Sequence, residues 1–446
     1  MERKIYQTLL DWKTESQGKS ALLIDGVRRC GKSYISEEFA KNEYRSYIII
    51  DFQKATRDVL DLFDHYLNDL DTLFMYLSTF YNVVLYERQS LIIFDEVQLC
   101  PRARAAIKYL IADGRYDYIE TGSLMSIKEN VANIVIPSEE EHIKMYPMDF
   151  EEFLWAKGIG PTVLKELQDC FINRKPVSET IHSAMLRNFR EYICVGGMPY
   201  IVDRFLATND MNVVLEEQRD ILEELRDDFG KHLDENENEE ADLVLLGRIN
   251  RVFDSIPSQL AKENKKFTYS MLEKKGRSEN YLSAIQWLSD AGIINICYNL
   301  SNLSLPLEGN KIDNIFKIYM QDSGLFIAML EEGSAGRILL GELGLYKGAV
   351  YENIIADCFS KMGKPLYYYH KDSGLEIDFI TSIKSEVTLV EVKATSGNTK
   401  SANTILRNKN QYGINQCIKL SANNVGLEGE KLTIPYYMAY LLFDTN

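Results

Sequence analysis

The sequence predicts an α/β protein built on a parallel sheet, and three observations carry that prediction. Four short apolar runs, A-L-L-I-D-G (21–26), S-Y-I-I-I-D-F (46–52), S-L-I-I-F-D-E (90–96) and Y-D-Y-I-E-T-G-S (116–123), are separated by helix-length segments, the pattern of strands covered on both faces. Directly after the first run stands G-V-R-R-C-G-K-S, Gly26 to Ser33. The third run ends in two adjacent carboxylates, Asp95 and Glu96. Ligands of such sheets bind beyond the carboxyl ends of the strands, and both motifs fall there.

Length and composition set the frame. A chain of 446 residues has room for about three domains, and with 46% hydrophobic and 26% charged residues it has the balance of a globular protein. No run of 18 apolar residues occurs, and M-E-R-K-I-Y-Q-T-L-L-D-W-K turns charged before a signal-peptide core forms, so neither export nor a membrane partner is expected. Seven cysteines without C-x-x-C spacing suit reduced thiols and a cytoplasmic location. A net charge of −16 opposes nonspecific attraction of the whole molecule to DNA or anionic lipid, while leaving room for a local basic groove.

The segment Gly26, Val27, Arg28, Arg29, Cys30, Gly31, Lys32, Ser33, Tyr34 has the spacing of a phosphate-binding loop between strand and helix, the mark of a P-loop NTPase. Successive backbone N–H groups and a helix amino terminus wrap phosphate oxygens, and glycines let the backbone approach closely. Lys32 is expected to reach the β- and γ-phosphates, and Ser33 to give a hydroxyl to Mg²⁺. Asp95 is expected to hold the same Mg²⁺, and Glu96 to orient and deprotonate an attacking water. The expected cofactors are therefore ATP and Mg²⁺. The fourth run ends at Thr121-Gly122-Ser123, where Ser123 or Thr121 is placed to sense the γ-phosphate; capping the following helix is the alternative.

Together these residues resemble a family of bacterial and archaeal AAA-type ATPases that carry a carboxy-terminal domain of unknown function. The shared pattern is Arg28 within the loop, the strand ending in D-E-x-Q (Asp95, Glu96, Gln98), T-G-S (Thr121 to Ser123), P-x-x-F-x-E-F (Pro147, Phe150, Glu152, Phe153) and G-G-x-P (Gly196, Gly197, Pro199). The resemblance implies an AAA-type core at 1–150. One departure stands out. Such proteins carry a Gly-Arg pair shortly before the proline of P-x-x-F, and here the stretch is P-S-E-E-E-H-I-K-M-Y-P (137–147).

Amphipathic helical patterning from 151 to 233 predicts a lid or bundle, interrupted by the Gly196-Gly197 pair, which reads as a tight interhelical turn. The acidic block Asp234 to Asp242 reads as a linker opening the next module, 234–305. There, short helices followed by the apolar I-I-N-I-C-Y (293–298) suggest a winged helix with Lys262, Lys265, Lys266, Lys274, Lys275 and Arg277 on a basic side. Such a side suits DNA phosphates, and winged helices also serve in protein packing.

The last part, 306–446, runs helix, strand, strand, strand and carries Glu352, Asp378, Glu391 and Lys393. In restriction-endonuclease-like folds an aspartate and a glutamate on adjacent strands chelate Mg²⁺ while the lysine helps activate water. The tripeptide E-x-K recurs at Glu2, Glu263 and Glu273, so context alone singles out Glu391 and Lys393: they share one face of an apolar strand. The AAA-type family has the same nuclease-like unit. An ion-pair network and a relic groove used only for binding are the alternatives.

Overall fold

The computed structural model describes residues 1–122, 139–231, 239–274, 276–342, 347–393 and 399–443. Ser123, Lys275 and residues 234–238 of the acidic block lie outside them, and the rest of that block, 239–242, opens the helix Glu239–Leu260 rather than forming a linker. The chain divides into two compact units, Met1–Pro147 and Met148–Asn446.

In the first unit, α1 (Ile5–Ser16), β1 (Ala21–Asp25), α2 (Lys32–Glu43), β2 (Ser46–Asp51), α3 (Arg57–His65), α4 (Leu70–Tyr81), β3 (Ser90–Asp95), α5 (Pro101–Asp113), β4 (Asp117–Gly122) and β5 (Glu140–Lys144) follow in order. The strands form one parallel sheet, β2-β3-β4-β1-β5. All four expected strands are present. The fifth, E-E-H-I-K, has no apolar run and is found only by pairing with β1; an edge strand tolerates charge because one side is open to water.

The sheet's core side shows why the apolar runs become strands. Ile48, Ile50, Ile92 and Phe94 pack with Leu23 and Tyr118 beneath α3, α4 and α5. Phe52, Phe63 and Phe94 meet edge to face at 5.5–5.7 Å, and each ring removed from water contributes about 1.5–3 kcal/mol. Strand order then decides the site: β4 is inserted between β1, which feeds the phosphate loop, and β3, which delivers Asp95.

The second unit opens with helices α6 (Phe150–Ala156), α7 (Pro161–Ile172), α8 (Glu179–Val195), α9 (Pro199–Thr208), α10 (Met211–Lys231), α11 (Glu239–Leu260) and α12 (Ser278–Asp290). The motifs P-x-x-F-x-E-F and G-G-x-P find a common structural explanation there. Asp149 and Glu152 form a reciprocal capping box at the start of α6, satisfying backbone donors that the first turn cannot. Met148 N donates to Gly197 O at 2.7 Å, and Gly197 N donates to Asp322 Oδ2 at 2.7 Å. A Cβ on Gly197 would run into the Met148 carbonyl, so only glycine allows this approach. Pro199 then starts α9 at a position that needs no N–H donor.

An eight-stranded sheet closes the unit. Its elements are β6 (Ile294–Leu300), β7 (Lys311–Met320), α13 (Ser323–Ala328), α14 (Ser334–Leu340), α15 (Lys347–Lys361), β8 (Leu366–His370), β9 (Glu376–Ile383), β10 (Glu386–Lys393), α16 (Lys400–Arg407), α17 (Lys409–Tyr412), β11 (Cys417–Ser421), β12 (Gly426–Glu428) and β13 (Lys431–Pro435). The order is β12-β13-β11-β10-β9-β8-β6-β7. The boundary expected at 305/306 falls between β6 and β7, which pair antiparallel in this same sheet. β6 also pairs with β8, so it is an interior strand of the large sheet, next to the edge strand β7.

Replacing Gly197 by Ala is expected to lower stability by about 1–3 kcal/mol through overpacking against backbone. Gly247 in α11 has open space around its Cβ position, so Gly247→Ala is expected to leave stability unchanged or raise it by roughly 0.5–1 kcal/mol. Paired thermal melts check both.

Candidate functional site

The phosphate loop takes its shape from three backbone constraints. Gly26 passes so close to the Met145 carbonyl that a Cβ would collide with it, and Met145 N donates to Asp25 O at 2.7 Å, so neither chain can yield. Arg29 and Gly31 adopt φ of 65° and 98°, which turns the chain into α2. Arg3, which sequence reading did not single out, donates to Cys30 O at 3.0 Å and to Tyr146 O at 2.6 Å. It ties loop and β5 exit together. Val27 and Cys30 are buried, whereas Arg28, Arg29, Ser33 and Tyr34 are exposed.

Lys32 is buried, and its amine donates to Gly26 O at 2.9 Å and Val27 O at 3.2 Å. An ammonium resting on neutral carbonyls finds a stronger, charge-assisted partner in a phosphate. α2 starts at Lys32 with no side chain capping its first N–H groups, which leaves those donors for an anion.

Beside the loop, Ser33 Oγ donates to Asp95 Oδ1 at 2.8 Å, and Thr121 Oγ1 donates to the same oxygen. Glu96 N donates to Thr121 Oγ1 at 3.3 Å. Glu96 itself is half-buried with φ 54°, and its Oε2 accepts from Gln98 Nε2 at 2.6 Å, which gives the D-E-x-Q motif a physical role. A hydroxyl touching a carboxylate is the hard oxygen pair that Mg²⁺ accepts when phosphates and water complete its shell. Consistent with that division, no three His, Cys, Asp or Glu side chains among the described residues are placed to hold a metal alone.

The carboxy-terminal candidates also converge. Antiparallel pairing of Val390 with Phe379 brings Glu391 opposite Asp378. Val392 N donates to Asp378 Oδ2 at 2.7 Å; Lys393 Nζ lies 3.3 Å from that oxygen and also pairs with Glu391. Glu352 on α15 is held by Lys265 at 2.8 Å, Lys317 at 3.7 Å and the Tyr319 hydroxyl at 3.1 Å. Lys317 also reaches Glu376 at 3.0 Å. The sequence does not single out Lys317 or Tyr319, and it places Lys265 on the basic side rather than against Glu352. A lysine inside the apolar strand I-F-K-I-Y-M (315–320) was the available signal, because a buried amine requires a counter-charge.

Burial pushes Glu391 up to about 7, aided by Asp378 and opposed by Lys393. Burial and the Glu352 charge likewise raise Asp378. For Glu352 burial also acts upward, but Lys317 and Lys265 outweigh it and hold the carboxyl below its ordinary range. Each of the three expected ligands thus faces a lysine, and among the described residues no three His, Cys, Asp or Glu side chains are grouped as a metal site. The expected basic side is also partly spent: Lys265 serves Glu352, and Lys262 Nζ donates to Gln259 Oε1, Lys266 O and Thr268 Oγ1 at 2.7–2.8 Å.

A family model described as an AAA domain matches residues 18–154, and two described as domains of unknown function match 186–335 and 347–438. No curated protein matches the chain. Among solved structures, a Walker-type ATPase of Pyrococcus abyssi is 15% identical, with 74% of this chain and 95% of that one covered and a TM-score of 0.39. The Orc1 protein of Aeropyrum pernix, solved in complex with DNA, is 12% identical over 76% of this chain and 95% of that one, with a TM-score of 0.27. Residues 18–154, most of them in the amino-terminal unit, are thus similar to an AAA domain. No helix among the described residues is long and apolar enough to cross a membrane.

Because folded Glu391 keeps its proton up to about pH 7 while the unfolded carboxyl loses it near its ordinary value of 4.5, the folded state binds more protons between those limits. Its contribution to stability therefore falls as pH rises through that window. Glu391→Gln is expected to lose this decline, gaining stability relative to the parent on going from about pH 5 to about pH 8. Melting temperatures across that range check it.

Proposed function

We propose that the chain is a Mg²⁺-dependent ATPase whose nucleotide state governs a carboxy-terminal half that binds, rather than cuts, its target. The carrying observation is the meeting of Ser33, Asp95 and Thr121 beside the phosphate loop, at the carboxyl ends of the sheet. In this reading Lys32 leaves the loop carbonyls for the β- and γ-phosphates, and the loop N–H groups hold the remaining oxygens. Ser33 and Asp95 hold Mg²⁺, which when bound offsets phosphate charge. Glu96 orients the attacking water and takes its proton. Thr121, touching both Asp95 and the Glu96 backbone, relays the presence of the γ-phosphate to the base; Ser123 shares this role in the sequence reading.

The order α15-β8-β9-β10-α16-β11, with β8, β9 and β10 antiparallel and β11 parallel to β10, supports a restriction-endonuclease-like core. The sequence α11, a 3₁₀ turn, α12 and the β6–β7 hairpin supports a winged-helix module, with DNA as its candidate partner. The lysine held against each carboxylate favours a binding role over phosphodiester cleavage. Slow, switch-like turnover is the second reading. It is favoured by β5, E-E-H-I-K, which occupies the stretch where similar ATPases carry a Gly-Arg pair.

Glu96→Gln is expected to keep ATP affinity and lose turnover by about 100-fold or more. Lys32→Ala is expected to weaken ATP binding by roughly 10-fold or more, the worth of a charge-assisted hydrogen bond. Calorimetric ATP titration and phosphate release, with and without duplex DNA, check both and separate a stimulated motor from a switch. Unchanged phosphate release by Glu96→Gln removes the assigned base.

A further inference from the structure

α4 carries several exposed apolar side chains: of its residues, L-D-T-L-F-M-Y-L-S-T-F-Y, only Asp71 carries a charge. Leu73, Phe74 and Leu77 are buried against the sheet, while Met75, Tyr76 and Phe80 are 56, 40 and 51% exposed, with Val84 just beyond at 65%. Large apolar side chains left in water this close together mark a contact surface. Grooves run along both flanks. One, of about 450 Å³, lies between α3 and α4 and is lined by Asp58, Asp61, Leu62, His65, Tyr76 and Phe80. The other, of about 470 Å³, includes Phe74, Met75 and Val84.

The rim charges indicate what covers this face. Asp64 is paired with Arg102 at 2.9 Å and Asp71 with Arg115 at 2.7 Å. Asp58 and Asp61 make no ion pair among the described residues, although both line the groove beside Tyr76 and Phe80. Nucleic acid would be repelled by these carboxylates, whose charge complements a cationic partner. We propose that the α3–α4 groove docks a cationic amphipathic helix of another protein. Its aromatic or aliphatic anchors lie between Tyr76 and Phe80, and its Lys or Arg side chains face Asp58 and Asp61, in the manner of a helix laid into an apolar groove. This surface is independent of the ATPase reading.

The probe is a fluorescent synthetic helix of about 18 residues with Leu and Lys at amphipathic spacing, long enough to be helical when bound. A scrambled peptide of the same composition controls for the chain's bulk negative charge. By anisotropy, the amphipathic peptide is expected to bind about 10-fold or more tightly than the scrambled one, and Tyr76→Ala/Phe80→Ala to abolish that margin. Asp58→Asn/Asp61→Asn is expected to weaken binding severalfold and to flatten its salt dependence. All four side chains are surface groups, so thermal melts should stay at the parent value. Equal affinity for the two peptides, or indifference to Tyr76→Ala/Phe80→Ala, overturns the proposal. So does a concentration-dependent dimer of the parent chain that those alanines dissolve, since it assigns the face to a second copy.

Discussion

One carboxylate oxygen, Asp95 Oδ1, accepts from both Ser33 at the mouth of the phosphate loop and Thr121 at the end of β4. The three residues belong to segments far apart in sequence. Only the insertion of β4 between β1 and β3 brings them to one point. Everything proposed for the nucleotide depends on that convergence, because Mg²⁺ needs a hydroxyl and a carboxylate placed by rigid elements rather than by a loop. The sheet core supplies the rigidity. The edge-to-face cluster of Phe52, Phe63 and Phe94 lies where β2, β3 and α3 meet, immediately before Asp95 in the chain.

The second unit shows the same physics turned to another end. Glu352, Asp378, Glu391 and Lys393 converge as the sequence suggested, yet Lys265 and Lys317 enter with them. Burying several carboxylates is costly unless each is paired, and Lys265, Lys317 and Lys393 supply the pairing. Lys317 is wholly buried, between Glu352, Glu376 and the Tyr368 ring. The carboxylates raised by burial and those lowered by lysines belong to one network, so its members titrate together rather than singly.

The legible and illegible parts of the sequence divide along physical lines. β1, β3 and β4 are buried throughout and announce themselves as apolar runs, and the edge strand β2 still carries the apolar Y-I-I-I; the other edge strand, β5, reads E-E-H-I-K and carries no such signature. Phosphate-loop spacing is local and therefore visible. Arg3 was invisible because its value lies in two backbone carbonyls, at Cys30 and Tyr146, remote from it in sequence. Gly197 was read as a turn, and the structure adds the cause: a backbone approach to Met148 that excludes any side chain. Lys265 looked like a surface charge until the fold turned it toward Glu352. Local chemistry was thus readable, and long-range pairing was not.

The most direct test of the central claim is the environment of Mn²⁺, a paramagnetic substitute for Mg²⁺, followed by electron paramagnetic resonance on the full chain. Protein-bound Mn²⁺ should appear with ATP present and not without it, and Asp95→Asn should return the ion to the spectrum of Mn²⁺–ATP free in solution. Retention of the protein-bound signal by Asp95→Asn, or tight Mn²⁺ binding without nucleotide, would contradict a site in which Ser33 and Asp95 grip the ion of a bound triphosphate.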